Sequence, residues 1–224
     1  MGKPVGTYVT MEAKALAKGD EDYHREVAEE LSVQLKTMLK ELKKKHKVPD
    51  RKDFHVLVVG LGNPSVTPDS LGPKVLGNLR VNRNMDEGQE DAVLSGIVPG
   101  VMAQTGMETA EILKGIIHET EPDMVIAIDA LAARSIRRLG TTIQLTNTGI
   151  HPGSGVGNHR HSLTEESLGL PVLAIGVPTV VGAAAIVHDT IAALGKTLAS
   201  HIETQEMGDF LDQLDPDEQY QLIC

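Results

Sequence analysis

The chain has 224 residues, 41% of them apolar, and a formal net charge of −10, so it can bury a sizeable core while its field repels nucleic-acid phosphates. Two Phe, three Tyr and no Trp leave few stacking platforms, and a single Cys, Cys224, excludes an intramolecular disulfide framework and a cysteine zinc site. Its longest apolar run, around 171–187, is broken by Gly176, Pro178 and Gly182, which is the pattern of core and not of a membrane span, and no secretory signal opens the chain. The composition fits a cytoplasmic protein with no direct nucleic-acid partner and no membrane partner.

Thr7 to Met11 alternates β-forming residues and predicts a short first strand. Glu21 to Lys45 carries Val27, Leu31, Leu35, Met38, Leu39 and Leu42 among charges, the spacing of a long amphipathic helix. Its basic last turn, with Lys43, Lys44 and Lys45, complements the negative end of the helix dipole and reads as a solvated face. Phe54 to Val59 predicts a second strand, which runs into a loop rich in glycine and proline from Gly60 to Pro73. Gly60 and Gly62 begin a dinucleotide fingerprint, but Pro64 follows and no third glycine opens a helix at the required spacing. A helix then reaches Leu79, with Asp69 before it in position to cap its N-terminus.

Residues 82–91 read as an exposed loop, Ala92 to Ser95 as a short strand, and Gly96 to Gly106 as a flexible turn. A helix beginning at Thr105 or Thr109 returns the chain to the apolar run Val125 to Ile128, a strand covered on both faces. Asp129 follows where this strand is expected to give way to a helical or loop segment, Ala130 to Arg134. Parallel sheets bind ligands beyond the carboxyl ends of their strands, so Asp129 has two readings, a cap or a catalytic acid. Further strands are predicted at Thr141 to Leu145 and Val172 to Val177, and a helix from about Ala183 to Ser200. The rhythm of strand, helix and strand predicts an α/β fold, a mostly parallel sheet with helices on both faces, over 1–224 as one domain.

Between the last two strands lies a segment with Gly149, Gly153, Gly155 and Gly157. It reads either as a loop whose amides approach a ligand or as plain flexible chain. Pro152 and Val156 occupy the glycine positions of a nucleophile elbow, so Ser154 is a poor nucleophile. His151, His159 and His161 are candidate metal ligands or ordinary polar surface.

Five stretches carry a resemblance: Val66-Thr67-Pro68-Asp69, Val101 to Thr109, Ile126 to Arg134, Gly149 to Asn158 and Ala174 to Val181. Together they closely resemble the germination protease family of spore-forming bacteria. The resemblance implies an endopeptidase that digests small acid-soluble spore proteins during germination, a zymogen matured by loss of a prosegment, and a homotetramer in the spore interior. It also implies a fold similar to that of the hydrogenase-maturation endopeptidases. The family's two catalytic aspartates carry over onto Asp69 and Asp129, with no metal and no cofactor. Relative to the family the chain reads as truncated at one or both ends, starting close to its first strand and stopping at Leu222-Ile223-Cys224.

On chemical grounds, two neighbouring carboxyls can share one proton and so act as base and acid in amide hydrolysis. The loop of His151, Gly153, Ser154, Gly155 and Gly157 is then the candidate source of substrate contacts and oxyanion donors. A metal-binding peptidase using His151 with the two aspartates is the runner-up, and a catalytically silent protein-binding relative is the third reading.

Overall fold

A computed structural model describes residues 4–47, 53–83, 92–152 and 161–199. Its centre is a six-stranded sheet built from β1 (Tyr8–Glu12), β2 (His55–Gly60), β3 (Val93–Ile97), β4 (Met124–Ala133), β5 (Thr142–Thr146) and β6 (Val172–Val181). The spatial order is β1-β5-β6-β4-β2-β3. Strands β6, β4, β2 and β3 run parallel, while β5 lies antiparallel to β6 and β1 antiparallel to β5. The sheet is therefore mostly parallel, as the strand and helix rhythm predicts.

All six residues of β2 are buried, which requires cover on both faces. One face packs Leu57, Val59, Val125 and Ala127 with Ala110 and Leu113 of α4 (Thr109–Thr120) and Leu168 of α5 (Glu165–Leu168). The other packs Val56, Val58, Met124 and Ile128 against Met38 and Leu42 of α1 (Glu21–Lys45). The alternation of β2 and β4 residues between the two cores follows from the two-residue period of a strand. Met38 and Leu42 are 2% and 3% exposed, and burying each contributes about 1.5–3 kcal/mol.

Helices α1 and α4 start where their sequence directs. Asp20 Oδ1 accepts from the Tyr23 amide at 3.0 Å to open α1, and Glu108 with Glu111 forms a reciprocal capping box that opens α4. The basic end of α1 is not merely solvated: Lys45 Nζ lies 3.3 Å from Glu165 Oε2, and Lys43 stacks over Phe54 at 4.0 Å from the ring centroid. α5 itself went unread in the sequence, although Thr164 and Ser167 form a second capping box.

The ends of β4 and β6 differ from expectation for one reason. β4 continues through Asp129 to Ala133, where a helical or loop segment was expected, and β6 continues past Pro178 to Val181. The extensions pair with each other, up to Ala133 against Val181, with an irregularity between Leu131 and Ala132 opposite Pro178. A proline cannot donate to a ladder, and the bulge absorbs its place. β5 has already stopped pairing at Gly176, so Pro178 interrupts nothing on that side. Small helices α2 (Leu71–Gly77) and α3 (Met102–Thr105) fill two connections, and the longer α6 (Ala183–Ala199) follows β6, where the sequence predicts a helix. α3 and the extension of β3 to Ile97 occupy part of what reads in the sequence as a flexible turn. No helix among the described residues is long and apolar enough to cross a membrane.

Candidate active site

Parallel strands β2 and β4 end their mutual ladder at Gly60 opposite Ile128, and the Leu61 amide then donates to the Ile128 carbonyl at 2.8 Å. Asp129 is the next residue of β4, so it stands on a ledge, one residue beyond its partner strand. On its other side it still faces Gly176 of β6. Its place is thus within a strand, not at the strand's end, yet at the carboxyl edge of β2. Asp129 is 7% exposed, and its Oδ1 accepts from the Ala130 amide at 2.9 Å. It caps no helix, since none starts there.

Asp69 reaches the same edge by a different route. After β2 the chain turns through Gly62 at φ +115°, a backbone conformation that favours glycine, and a Cβ there would fall 2.0 Å from the Asp69 carbonyl oxygen. The chain then forms a short 3₁₀ turn, Thr67–Asp69, which lies against β4 and β6. Thr179 of β6 ties that turn down by donating its hydroxyl to the Pro68 carbonyl at 2.6 Å. The Asp69 side chain does not cap α2, whose N-terminus is Ser70 without a side-chain cap. Asp69 Oδ2 instead accepts from the Asn63 amide at 2.8 Å, across its own loop. Gln104 of α3 donates to Asn63 Oδ1 at 3.2 Å, linking the loop after β3 to the loop after β2.

Glycine makes the close approach feasible. A Cβ on Gly72 would lie 2.4–2.6 Å from backbone atoms of Leu61 and Ile128, so α2 is wedged against the ledge from which Asp129 projects. Both acids therefore sit on the carboxyl edge of one sheet, Asp129 by strand register and Asp69 by a turn pinned to the neighbouring strands. Asn63, Gln104 and Thr179 form the supporting hydrogen bonds. Sequence reading gave none of them a role, although Gln104 and Thr179 lie in two of the stretches that carry the resemblance.

The third part of the expected site is less complete. Ile150 and Leu163 form an antiparallel bridge, with amide-to-carbonyl distances of 2.9 and 2.8 Å, that clamps the two ends of the long loop. Ile150 packs on the same core as Leu57 and Ala127, the face to which the alternation of β4 assigns Asp129. His151, next in sequence, is exposed. Gly153, Ser154, Gly155, Gly157 and His159 lie outside the described residues. His161 Nδ1 lies 3.8 Å from Glu108 Oε2. Among the described residues, no three His, Cys, Asp or Glu side chains gather closely enough to hold a metal ion.

Comparison with known proteins bears on what this edge does. Residues 1–216 match the model of a peptidase family described as germination protease. The chain is 50% identical to the germination protease of Caldanaerobacter subterraneus subsp. tengcongensis over 230 aligned positions, covering 100% of this chain and 68% of that protein. It is 50% identical to that of Bacillus velezensis, covering 85% of this chain and 52% of the relative. For the Priestia megaterium protein the identity is 46%, with coverage of 92% and 55%. The chain thus spans about half the length of the last two relatives.

Proposed function

Since the chain belongs to the germination protease family, we propose that it is an endopeptidase acting on small acid-soluble spore proteins during spore germination, with Asp69 and Asp129 as its catalytic pair. The observation that carries this reading is the convergence of the two acids. The 3₁₀ turn bearing Asp69 rests on β4 and β6, and Asp129 is the first β4 residue beyond the β2 ladder.

In the proposed reaction one carboxylate accepts a proton from water as its oxygen attacks the scissile carbonyl carbon. The other, protonated, carboxyl donates to the amide nitrogen as the C–N bond breaks. The proton count balances, because the base leaves the cycle protonated and the acid ionised, and the pair exchanges roles or protons with water before the next turnover. Donors for the tetrahedral oxyanion are assigned to the amides of the loop containing Gly153, Gly155 and Gly157, with His151 and Ser154 contacting substrate. The active particle in this reading is a homotetramer, released from a zymogen in the spore interior.

The test is incubation of the purified chain with an acid-soluble spore protein, read by mass spectrometry with and without a strong chelator. Discrete internal cleavage that survives chelation is expected. Cleavage abolished by chelation and restored by one divalent ion would replace the reading with the metal-dependent one. No cleavage by a folded chain would replace it with a silent binding protein.

A further inference from the structure

A cavity lies on the carboxyl edge of the sheet, beyond the end of β4 and beside the end of β1 and the start of β5. It measures about 330 Å³ and is lined by Lys14, Arg137 and Arg138, with the hydroxyl residues Ser135, Thr141 and Thr142 and a single acid, Glu12. Three cations face one lining carboxylate, with the Asp189 carboxylate bonded to Ser135 behind the turn, which leaves a local excess of the opposite sign to the chain's net charge of −10. Lys14 approaches Glu12 only loosely, at 3.9 Å with both side chains largely exposed. Neither arginine forms an ion pair among the described residues.

The backbone that presents the arginines is held from three sides. Asp189 of α6 accepts from Ser135 Oγ at 2.8 Å and from the Ile136 amide at 2.7 Å, fixing the start of the turn. Thr141 Oγ1 donates to the Arg137 carbonyl at 2.6 Å, and the Arg138 carbonyl accepts from the Thr141 amide at 3.3 Å. The Ala13 amide donates to the Thr141 carbonyl at 2.7 Å, binding the end of β1, and with it the Lys14 wall, to the same turn. Carbonyls are thus engaged inward, and the two guanidinium groups line the cavity without an ion pair within 4.0 Å among the described residues, Arg137 feeling the Asp189 charge at longer range. Guanidinium matches carboxylate geometry with paired N–H donors.

We propose that this cavity binds carboxylate side chains of an acidic segment of the polypeptide substrate, making it a docking subsite at some distance from the scissile bond. The inference rests on the peptidase reading of Asp69 and Asp129. Ala133, the last residue of β4, lies four residue steps beyond Asp129, about 13 Å at the rise of a strand. An extended substrate therefore places its acidic segment about four residues or more from the bond cut. A free oxyanion such as inorganic phosphate offers the same chemistry without the chain. The polypeptide is favoured because the cavity lies on the same carboxyl edge as both aspartates.

The test reads binding, not turnover, so its outcome stands apart from whether the two aspartates are catalytic. A short dansyl-labelled peptide bearing adjacent Glu residues and its Gln counterpart are titrated with the full chain at low salt, followed by fluorescence anisotropy, with inorganic phosphate as competitor. The Glu peptide is expected to bind about tenfold more tightly than the Gln peptide, the sum of two or three exposed charge contacts. Arg137→Gln combined with Arg138→Gln should abolish that preference. Asp189→Ala, which makes the cavity more positive while releasing the turn, should weaken it as well. Lys14→Gln, on the opposite wall, should lower it about threefold and serves if the arginine double variant fails to fold. Equal binding of the two peptides, a preference that survives the arginine variant, stronger binding by Asp189→Ala, or phosphate competing as tightly as the Glu peptide would each overturn the proposal.

Discussion

The two edges of the parallel strands solve the same problem with different means. At the amino edge, the His55 amide donates to Asp123 Oδ2 at 2.8 Å, the Asp123 amide donates to the His55 carbonyl at 2.8 Å, and His55 Nε2 meets Ser95 Oγ at 2.7 Å. A carboxylate there completes the ladder between β2 and β4. At the carboxyl edge, glycine does that work: Gly72 lets α2 lie against Leu61 and Ile128, and a Cβ on Gly60 would meet the Gly72 carbonyl oxygen at 2.5 Å. Asp69 holds its own loop, and Asp129 meets its following amide. An acid used to close a sheet and an acid delivered to its surface look alike in sequence, and only the neighbours separate them.

The sharpest way to break this comparison is to neutralise each acid. Asp69→Asn and Asp129→Asn keep size and most hydrogen bonding but cannot exchange a proton, so kcat should fall by about 10²–10⁴-fold with the melting temperature little changed. A folded variant that cuts near the parent rate would return that aspartate to a structural role. Crowding the glycine wedge should act on stability first. Gly72→Ala is expected to cost about 1–3 kcal/mol, read as a lower denaturant midpoint, because its Cβ would meet backbone that cannot swing aside.

Removing the closing acid should have a purely structural effect. Asp123→Ala leaves the His55 amide without its carboxylate partner and should cost about 1–3 kcal/mol of stability at the desolvated end of the strand, with kcat unchanged. The smallest effect is a pH slope. Burial, followed by the Arg83 charge, holds the His55 imidazole below its ordinary pKa, against the pull of the Thr120 carbonyl and of Asp123. The unfolded chain therefore binds a proton more readily, and stability should be full above about pH 6.5 and decline as pH falls from there toward the lower native value. His55→Gln should flatten that part of a melting-temperature profile, and an unaltered slope would assign it to other groups.

A similar sign holds at Asp189. Burial pushes its carboxyl upward, but the hydrogen bonds from Ser135 and the Ile136 amide, with Arg137 and His188 nearby, outweigh it and leave the pKa lowered. Its anchoring of the arginine turn is then present above about pH 4 and lost as pH falls further. The docking cavity depends on that anchor, whereas the ledge bearing Asp129 does not.

Much of this fold was legible because its signals are local. The charge and leucine spacing of α1, the buried run of β2 and the glutamates that open α4 each determine an element from residues a turn or a pleat apart. The same sequence singled out Asp69 and Asp129 as acids next to apolar strands, in stretches that resemble one peptidase family. What it left open was geometry set between distant segments. β4 and β6 outlast their local strand signal because each offers the other a ladder, and Asp129 becomes a ledge residue because β2 stops one residue earlier. Asp69 joins that edge through Thr179, which lies 111 positions away from the carbonyl it holds. Propensity and periodicity decide which segments form; which hydrogen bonds and close packings unite them depends on partners that no window of neighbouring residues contains.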